Sequence, residues 1–144
     1  MKVLLDTSVL IAAFVEGHPD HERALSWVQR IKSREIAGAV AAHSLAELYA
    51  VLTVLPIRPR ISPEGAWQII RENLLTGFEI ITLSTADYRT VIQALAAGHI
   101  SGGAIYDALI ARAAEKARVD YLVTLNPDDF RRVWPPLTER VLTP

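Results

Sequence analysis

Lys2-Val3-Leu4-Leu5-Asp6-Thr7-Ser8-Val9-Leu10-Ile11 opens the chain, and its reading decides the fold. Val3-Leu4-Leu5 is a short continuous apolar run, the pattern of a strand buried on both faces. Asp6 ends that run, and Thr7 or Ser8 is expected to cap a helix from Val9 to Val15. A buried strand running directly into a helix is the first half of an α/β unit.

The same alternation continues along the chain. After His18-Pro19, Asp20 is placed to cap a helix to about Ser33, with Ala24, Leu25, Trp27, Val28 and Ile31 along one broad face. Ile36 to Ala41 reads as a second strand, and Ser44 to Leu55 as a helix stopped by Pro56. Ser62-Pro63-Glu64 is a strong helix start; that helix runs to about Leu75, with Gly77 expected at its C-terminal cap. Phe78 to Leu83 is a third strand, and a helix from Ser84 to Ala97 is closed by Gly98. Gly102-Gly103 leads into a helix from Ala104 to Ala117, and Tyr121-Leu122-Val123 is the fourth strand. Asn126 to Val133 is a short helical turn, and Arg140-Val141-Leu142 a last edge strand. Strands alternating with helices imply a central, mostly parallel sheet of four to five strands, covered by helices on both faces. The expected architecture is therefore α/β, with three layers in one domain over residues 1–144.

Composition narrows the chemistry. The chain has no cysteine, which excludes disulfides, thiolate zinc sites and cysteine nucleophiles and suits a cytoplasmic protein. No signal peptide is expected, because Lys2 is followed by only a short apolar strand and then an aspartate. The apolar stretch from Ile36 to Ile57 is interrupted by His43, Ser44, Glu47 and Pro56, so no membrane span is expected. A net charge of −1 argues neither for nor against a nucleic-acid partner, since bound cations can supply positive charge at a phosphate.

The informative residues are acids that interrupt apolar segments. Asp6 is the only acidic or basic residue between Lys2 and Glu16, apart from the chain's few histidines; Glu47 holds that position between Glu35 and Arg58, and Asp107 between Arg89 and Arg112. An unpaired buried carboxylate is costly and must be neutralised, hydrogen-bonded or bound to a cation. A fourth acidic cluster, Thr124-Leu125-Asn126-Pro127-Asp128-Asp129-Phe130, follows the fourth strand. In a parallel sheet the strand ends and the helix starts that follow them share one edge, so all four positions can meet there. Oxygen ligands without cysteine or a paired-histidine motif point to Mg²⁺ or Mn²⁺. Such a cluster suits hydrolysis of phosphodiesters, and its members should titrate as a coupled set. Thr124 and Ser8 are placed to orient a carboxylate or a metal-bound water. Asp20 and Asp87 read as helix-start residues, Trp27 and Trp67 as core, and His18, His21, His43 and His99 as surface or capping groups. Arg58, Arg60, Arg131 and Arg132 read as solvated.

At these residues the chain resembles the PIN-domain family, and within it the toxin ribonucleases of bacterial and archaeal VapBC toxin–antitoxin pairs. Leu4-Leu5-Asp6-Thr7-Ser8-Val9-Leu10-Ile11 looks like the first family motif, and Ser44-Leu45-Ala46-Glu47-Leu48-Tyr49 like the second. Ile105-Tyr106-Asp107-Ala108-Leu109-Ile110 is similar to the third, and Leu122 to Phe130 to the fourth. The four together cover nearly the whole chain in the family's order. The resemblance implies a PIN fold and RNA cleavage with Mg²⁺ or Mn²⁺ held by Asp6, Glu47, Asp107 and an acid of the last motif. It also implies a homodimer and a small antitoxin that occludes the site. Many relatives have an aspartate two residues after the threonine, where this chain has Asn126; others have asparagine there and an aspartate just before the phenylalanine. The second pattern assigns Asp129 as the fourth acid, with Asp128 as the fallback.

Three other functions compete. An aspartate-based phosphatase or phosphotransfer domain uses one aspartate as nucleophile, but a haloacid-dehalogenase-like site wants a second aspartate two residues after Asp6, where Ser8 stands. A receiver domain wants an acidic pair before the first strand's aspartate and a late lysine, and neither is evident. A DNA nuclease of the flap-cutting type carries extra segments for which this chain has no room. A catalytically silent binding module has no reason to keep four acids in these places.

Overall fold

The computed structural model describes residues 1–144 and contains a five-stranded sheet, all of whose pairings are parallel. In chain order the elements are β1 (Lys2–Leu5), α1 (Thr7–Phe14), α2 (His21–Lys32), β2 (Ala37–Ala41), α3 (Ala42–Leu52), α4 (Pro63–Asn73) and β3 (Glu79–Ile81). Then follow α5 (Thr85–Ala97), α6 (Ala104–Lys116), β4 (Tyr121–Val123), α7 (Pro127–Val133), a 3₁₀ turn over Pro135–Arg140, and β5 (Val141–Leu142). Every expected element is present, with ends displaced by a few residues, and the sheet is wholly rather than mostly parallel.

The strands lie in the order β3-β2-β1-β4-β5. The chain first winds outward from β1 to β2 and β3, then returns to the other side of β1 for β4 and β5. The reversal falls between β1 and β4, which is where open parallel sheets leave a crevice beyond the strand ends. Val3 registers against Tyr121 and Leu5 against Val123, so Asp6 and Thr124 emerge side by side at that crevice.

Strand alternation explains the two cores. Val3 and Leu5 of β1 point into a cluster with Val40 and Val123 beneath α1 to α4. Leu4 points the other way, with Ala39, Ala41 and Leu122, beneath α5, α6 and α7. The run Val3-Leu4-Leu5 is apolar throughout because each face of the sheet is covered. Gly38 permits the tightest approach: a Cβ there would lie 2.5 Å from Ile31 Cγ2, so α2 can seat on β2 only over a glycine. The apolar stretch from Ile36 to Ile57 divides into β2 and α3, and no helix is long and apolar enough to cross a membrane.

Several local expectations are corrected. The N-cap of α1 is Asp6, whose carboxylate accepts from Thr7 N, rather than Thr7 or Ser8. Asp20 occupies the N-cap position of α2, but its side chain pairs with Arg23 instead of capping. Helix α4 ends at Asn73 with Leu74 as its cap, three residues before Gly77. Trp67 is half exposed, because α4 packs through Ala66, Ile70 and Leu74 and the indole lies one position off that row. Trp27 is partly buried, with the Arg30 guanidinium 5.2 Å from its ring centroid. Asp87 does more than start a helix: it closes a capping box with Ser84 and also receives Arg112 at 3.0 Å and Lys116 at 2.7 Å.

Candidate functional site

Asp6 is held more firmly than any other carboxylate at the crevice. It is 4 % exposed. Its Oδ1 accepts from Thr7 N at 2.7 Å, and its Oδ2 accepts from Ser8 Oγ at 2.6 Å and Thr124 Oγ1 at 2.8 Å. Its backbone completes the junction: Asp6 N donates to Val123 O, while Asp6 O accepts from Val9 N and Leu10 N. The hydroxyls are themselves fixed, because Leu125 N donates to Ser8 Oγ at 3.1 Å and Asn126 N donates to Thr124 Oγ1 at 3.0 Å. Asn126 therefore contributes through its backbone, and its side chain makes no capping hydrogen bond. Burial pushes the Asp6 carboxyl up from its ordinary range, opposed by the hydrogen bonds from Ser8, Thr124 and Thr7.

Glu47 reaches the same place from α3. Thr7 Oγ1 lies 3.4 Å and His43 Nε2 lies 3.1 Å from Glu47 Oε1. The His43 contact is close but not aligned as a hydrogen bond, which leaves Nε2 buried without a hydrogen-bond partner. Burial raises the Glu47 carboxyl, His43 lowers it, and the charge of Asp6 raises it again.

Asp107 stands in the first turn of α6, half-buried. Burial is the main cause that pushes its carboxyl up to about 6, reinforced by the charges of Asp6, Asp129 and Glu47 and opposed by Arg132. Asp129, more exposed, lies 3.9 Å from Arg132 Nη2. Asp128 points to solvent and pairs with Arg131 at 3.2 Å. Of the two neighbouring acids, Asp129 is thus the one whose charge bears on Asp107.

Asp6, Glu47, Asp107 and Asp129 accordingly share one electrostatic field at the carboxyl edge of the sheet. Their donor set is entirely oxygen, which matches a hard divalent cation, and a cation would offset both the burial that chiefly raises Asp107 and the repulsion that adds to it. The side chains stand apart and do not close into a ligand cluster of three or more. Of these residues only Asp6 is almost wholly buried; Glu47 and Asp107 are partly open to solvent.

Sequence reading missed two residues here. Thr7 was assigned only a capping role, yet its hydroxyl faces Glu47. His43 was expected at the surface or in a cap; instead it contacts Glu47 and stacks on Tyr106, with ring centroids 5.1 Å apart and planes inclined by 7°. The i,i+4 spacing of His43 and Glu47 was the available signal. Arg132, expected to be solvated, is exposed but close enough to act on Asp107. A cleft of about 580 Å³, lined by Arg118, Asp120, Tyr121 and Arg140, opens elsewhere, at the opposite end of β4.

Comparison with known proteins identifies the family to which this fold belongs. Residues 3–134 match the model of the PIN domain. The chain is 34 % identical over 116 residues to Ribonuclease VapC27 of Mycobacterium tuberculosis, covering 81 % of this chain and 79 % of that protein. It is 35 % identical over 112 residues to Ribonuclease VapC40 of the same species, covering 78 % of each. Its fold is similar to a chain in the crystal structure of VapBC2 from Rickettsia felis bound to a DNA fragment from their promoter. That likeness has a TM-score of 0.64 at 20 % identity, covering 100 % of this chain and 98 % of the other. Four motifs in order, a parallel sheet whose reversal gathers four acids, and a family match over nearly the whole length place this chain in the PIN-domain family.

Proposed function

We propose that the chain is a metal-dependent endoribonuclease and the toxin component of a type II toxin–antitoxin pair, acting as a single nuclease domain over residues 1–144. The observation that carries this reading is the placement of Asp6, Glu47, Asp107 and Asp129 at the β1/β4 reversal, where burial first and then the neighbouring acids push Asp107 up to about 6. Acids that destabilise one another are retained when a ligand needs them. The ribonuclease names of relatives at 34 % and 35 % identity supply the substrate class.

In this reading Asp6, Glu47, Asp107 and Asp129 hold Mg²⁺ or Mn²⁺. When bound, such an ion supplies charge neutralisation at the phosphate and a more acidic water. Ser8, Thr124 and the Thr7 amide fix Asp6, so that its carboxylate enters the site in one orientation. Arg132 offers an exposed guanidinium beside Asp129, suited to a backbone phosphate. The open form of the acidic edge suits a polymer laid across it rather than an enclosed small molecule. A small antitoxin and a second copy of the chain are the proposed protein partners. The VapBC complex among the fold neighbours supports the first; the second rests on the family resemblance.

The test is cleavage of a mixed RNA panel by purified protein with Mg²⁺, with Mn²⁺ or with EDTA, and with Asp107→Asn alongside. Cleavage that needs the cation and disappears in the variant is the expected result. Cleavage that persists in EDTA or in Asp107→Asn overturns the proposed site. Silence under every condition, with any co-purified antitoxin excluded, overturns the ribonuclease reading.

A further inference from the structure

The His43–Tyr106 stack joins the first turns of α3 and α6 beside two of the candidate acids. His43 is four residues before Glu47 and touches it; Tyr106 immediately precedes Asp107. With one face of its ring against the imidazole, Tyr106 is still 51 % exposed. A core aromatic would bury that area, and burial of a ring is among the larger apolar gains a fold can make. The space next to it is open as well. A Cβ built on Gly102 would meet nothing within 4 Å, and one on Gly103 would meet only Tyr106 Cδ2, at 4.0 Å. The two-residue glycine elbow thus puts no side chain beside the ring, half of which is open to solvent. The phenol and the imidazole are parallel to within 7°, so a third planar ring can continue the stack without disturbing either.

We propose that Tyr106, backed by His43, is the platform on which the enzyme stacks one nucleobase of a single-stranded RNA next to the phosphate that is cut. The proposal rests on the ribonuclease reading above and adds to it the residue that grips the substrate. A stacked base adjoining Asp107 fixes the phosphate that follows it within reach of the carboxylates, while the sugar–phosphate chain runs along the open acidic edge. Stacking accepts any base, because each has a π-face; the platform therefore selects for unpaired nucleotides rather than for a sequence. His43 is a positioning residue: it supports one face of Tyr106 and leaves the other to the RNA. Paired RNA does not expose a base face, so duplexes are poor substrates for this site.

The experiment has a binding arm and a kinetic arm. In the first, a short oligoadenylate is titrated into the protein in EDTA and followed by NMR; the expected result is displacement of the Tyr106 ring resonances and upfield shifts of adenine protons. Tyr106→Phe keeps the response and Tyr106→Leu loses it. In the second, with Mg²⁺ or Mn²⁺, Tyr106→Leu raises KM by about 10-fold or more, whereas Tyr106→Phe stays near wild type. A ring response without any RNA cleavage upholds the platform and removes the ribonuclease reading. Cleavage with an unchanged KM in Tyr106→Leu removes the platform and leaves the ribonuclease. Neither cleavage nor a ring response overturns both.

Discussion

Thr124 donates its hydroxyl hydrogen to Asp6 Oδ2 over 2.8 Å, which ties the end of β4 to the end of β1. Thr124 is fully buried and Asp6 nearly so, and the same hydroxyl accepts from Asn126 N. Replacing it by valine keeps the shape but leaves a buried carboxylate oxygen with one donor fewer and an amide without its acceptor. Thr124→Val is therefore expected to cost about 1–3 kcal/mol of stability, read as a lowered midpoint in urea at pH 7. Thr124→Ser retains the hydroxyl and should recover most of the loss. An unchanged midpoint in the valine variant would show that the bond contributes little.

Asp107 is expected to trade stability for its place in the site. Its folded-state carboxyl is raised to about 6 from an ordinary value of 3.8. A raised acid favours the fold while protonated, so its contribution is fully present below about pH 4 and is lost as pH rises through about 6. Asp107→Asn mimics the protonated form. In EDTA the variant should melt level with wild type below about pH 4 and increasingly higher as pH rises, the gap opening between about pH 4 and pH 6 and staying constant above it. A difference that does not depend on pH would show that ionisation of the buried Asp107 carboxyl is not its cause.

The parallel sheet and the placing of the acids at one edge were legible in the sequence because both follow from the βα alternation; the strand order was not, because alternation alone is compatible with several orders. An apolar run such as Val3-Leu4-Leu5 can only be a strand covered on both faces, and its first polar residue must then lie at the sheet's edge. The alternation places Asp6, Glu47, Asp107 and the Asp128-Asp129 pair at that edge before any coordinate is known. Details that depend on side-chain direction were not legible. His43 and Tyr106 stand 63 positions apart in sequence, on different helices, and nothing in either segment announces a stack. Trp67 belongs to a helix whose buried row passes one residue to its side, a rotation that composition does not determine.

Asp87 has the opposite pH signature from Asp107. Lys116 is the main cause that holds its carboxyl well below the usual carboxylate range, with the Ser84 amide and Arg112 adding to the effect. A depressed acid contributes stability above its unfolded value, near pH 4, and loses it as pH falls toward the folded value. Asp87→Asn is expected to lower stability by about 2–3 kcal/mol at pH 7, since Arg112 and Lys116 lose their shared charge and α5 loses half of its capping box. The gap between variant and wild type should narrow below pH 4. Equal gaps at pH 7 and pH 3 would show that packing, not charge, dominates at this position.

Three helices end in a left-handed residue, and none of those residues is glycine. Arg34, His99 and Arg118 have φ of 62°, 55° and 52°. Each donates to the carbonyl three residues back (Ile31, Ala96 and Glu115), while the following amide closes the six-residue turn on Arg30, Leu95 and Ala114. This is the Schellman arrangement, which glycine normally serves. Gly98 closes α5 as its C-cap, as expected, but with φ of −84° it has no need of glycine's freedom. A side chain in this region costs about 1–2 kcal/mol, partly offset because glycine has more freedom to lose on folding. His99→Gly and Arg118→Gly are each expected to raise stability by about 0.5–1 kcal/mol, a few degrees in Tm together. Gly98→Ala should be tolerated, since a Cβ there meets Ala94 O at 3.4 Å and is otherwise in ordinary contact. Calorimetry of the four proteins decides the matter: a loss of stability in both glycine variants would show that Cβ contacts at these turns outweigh the backbone strain.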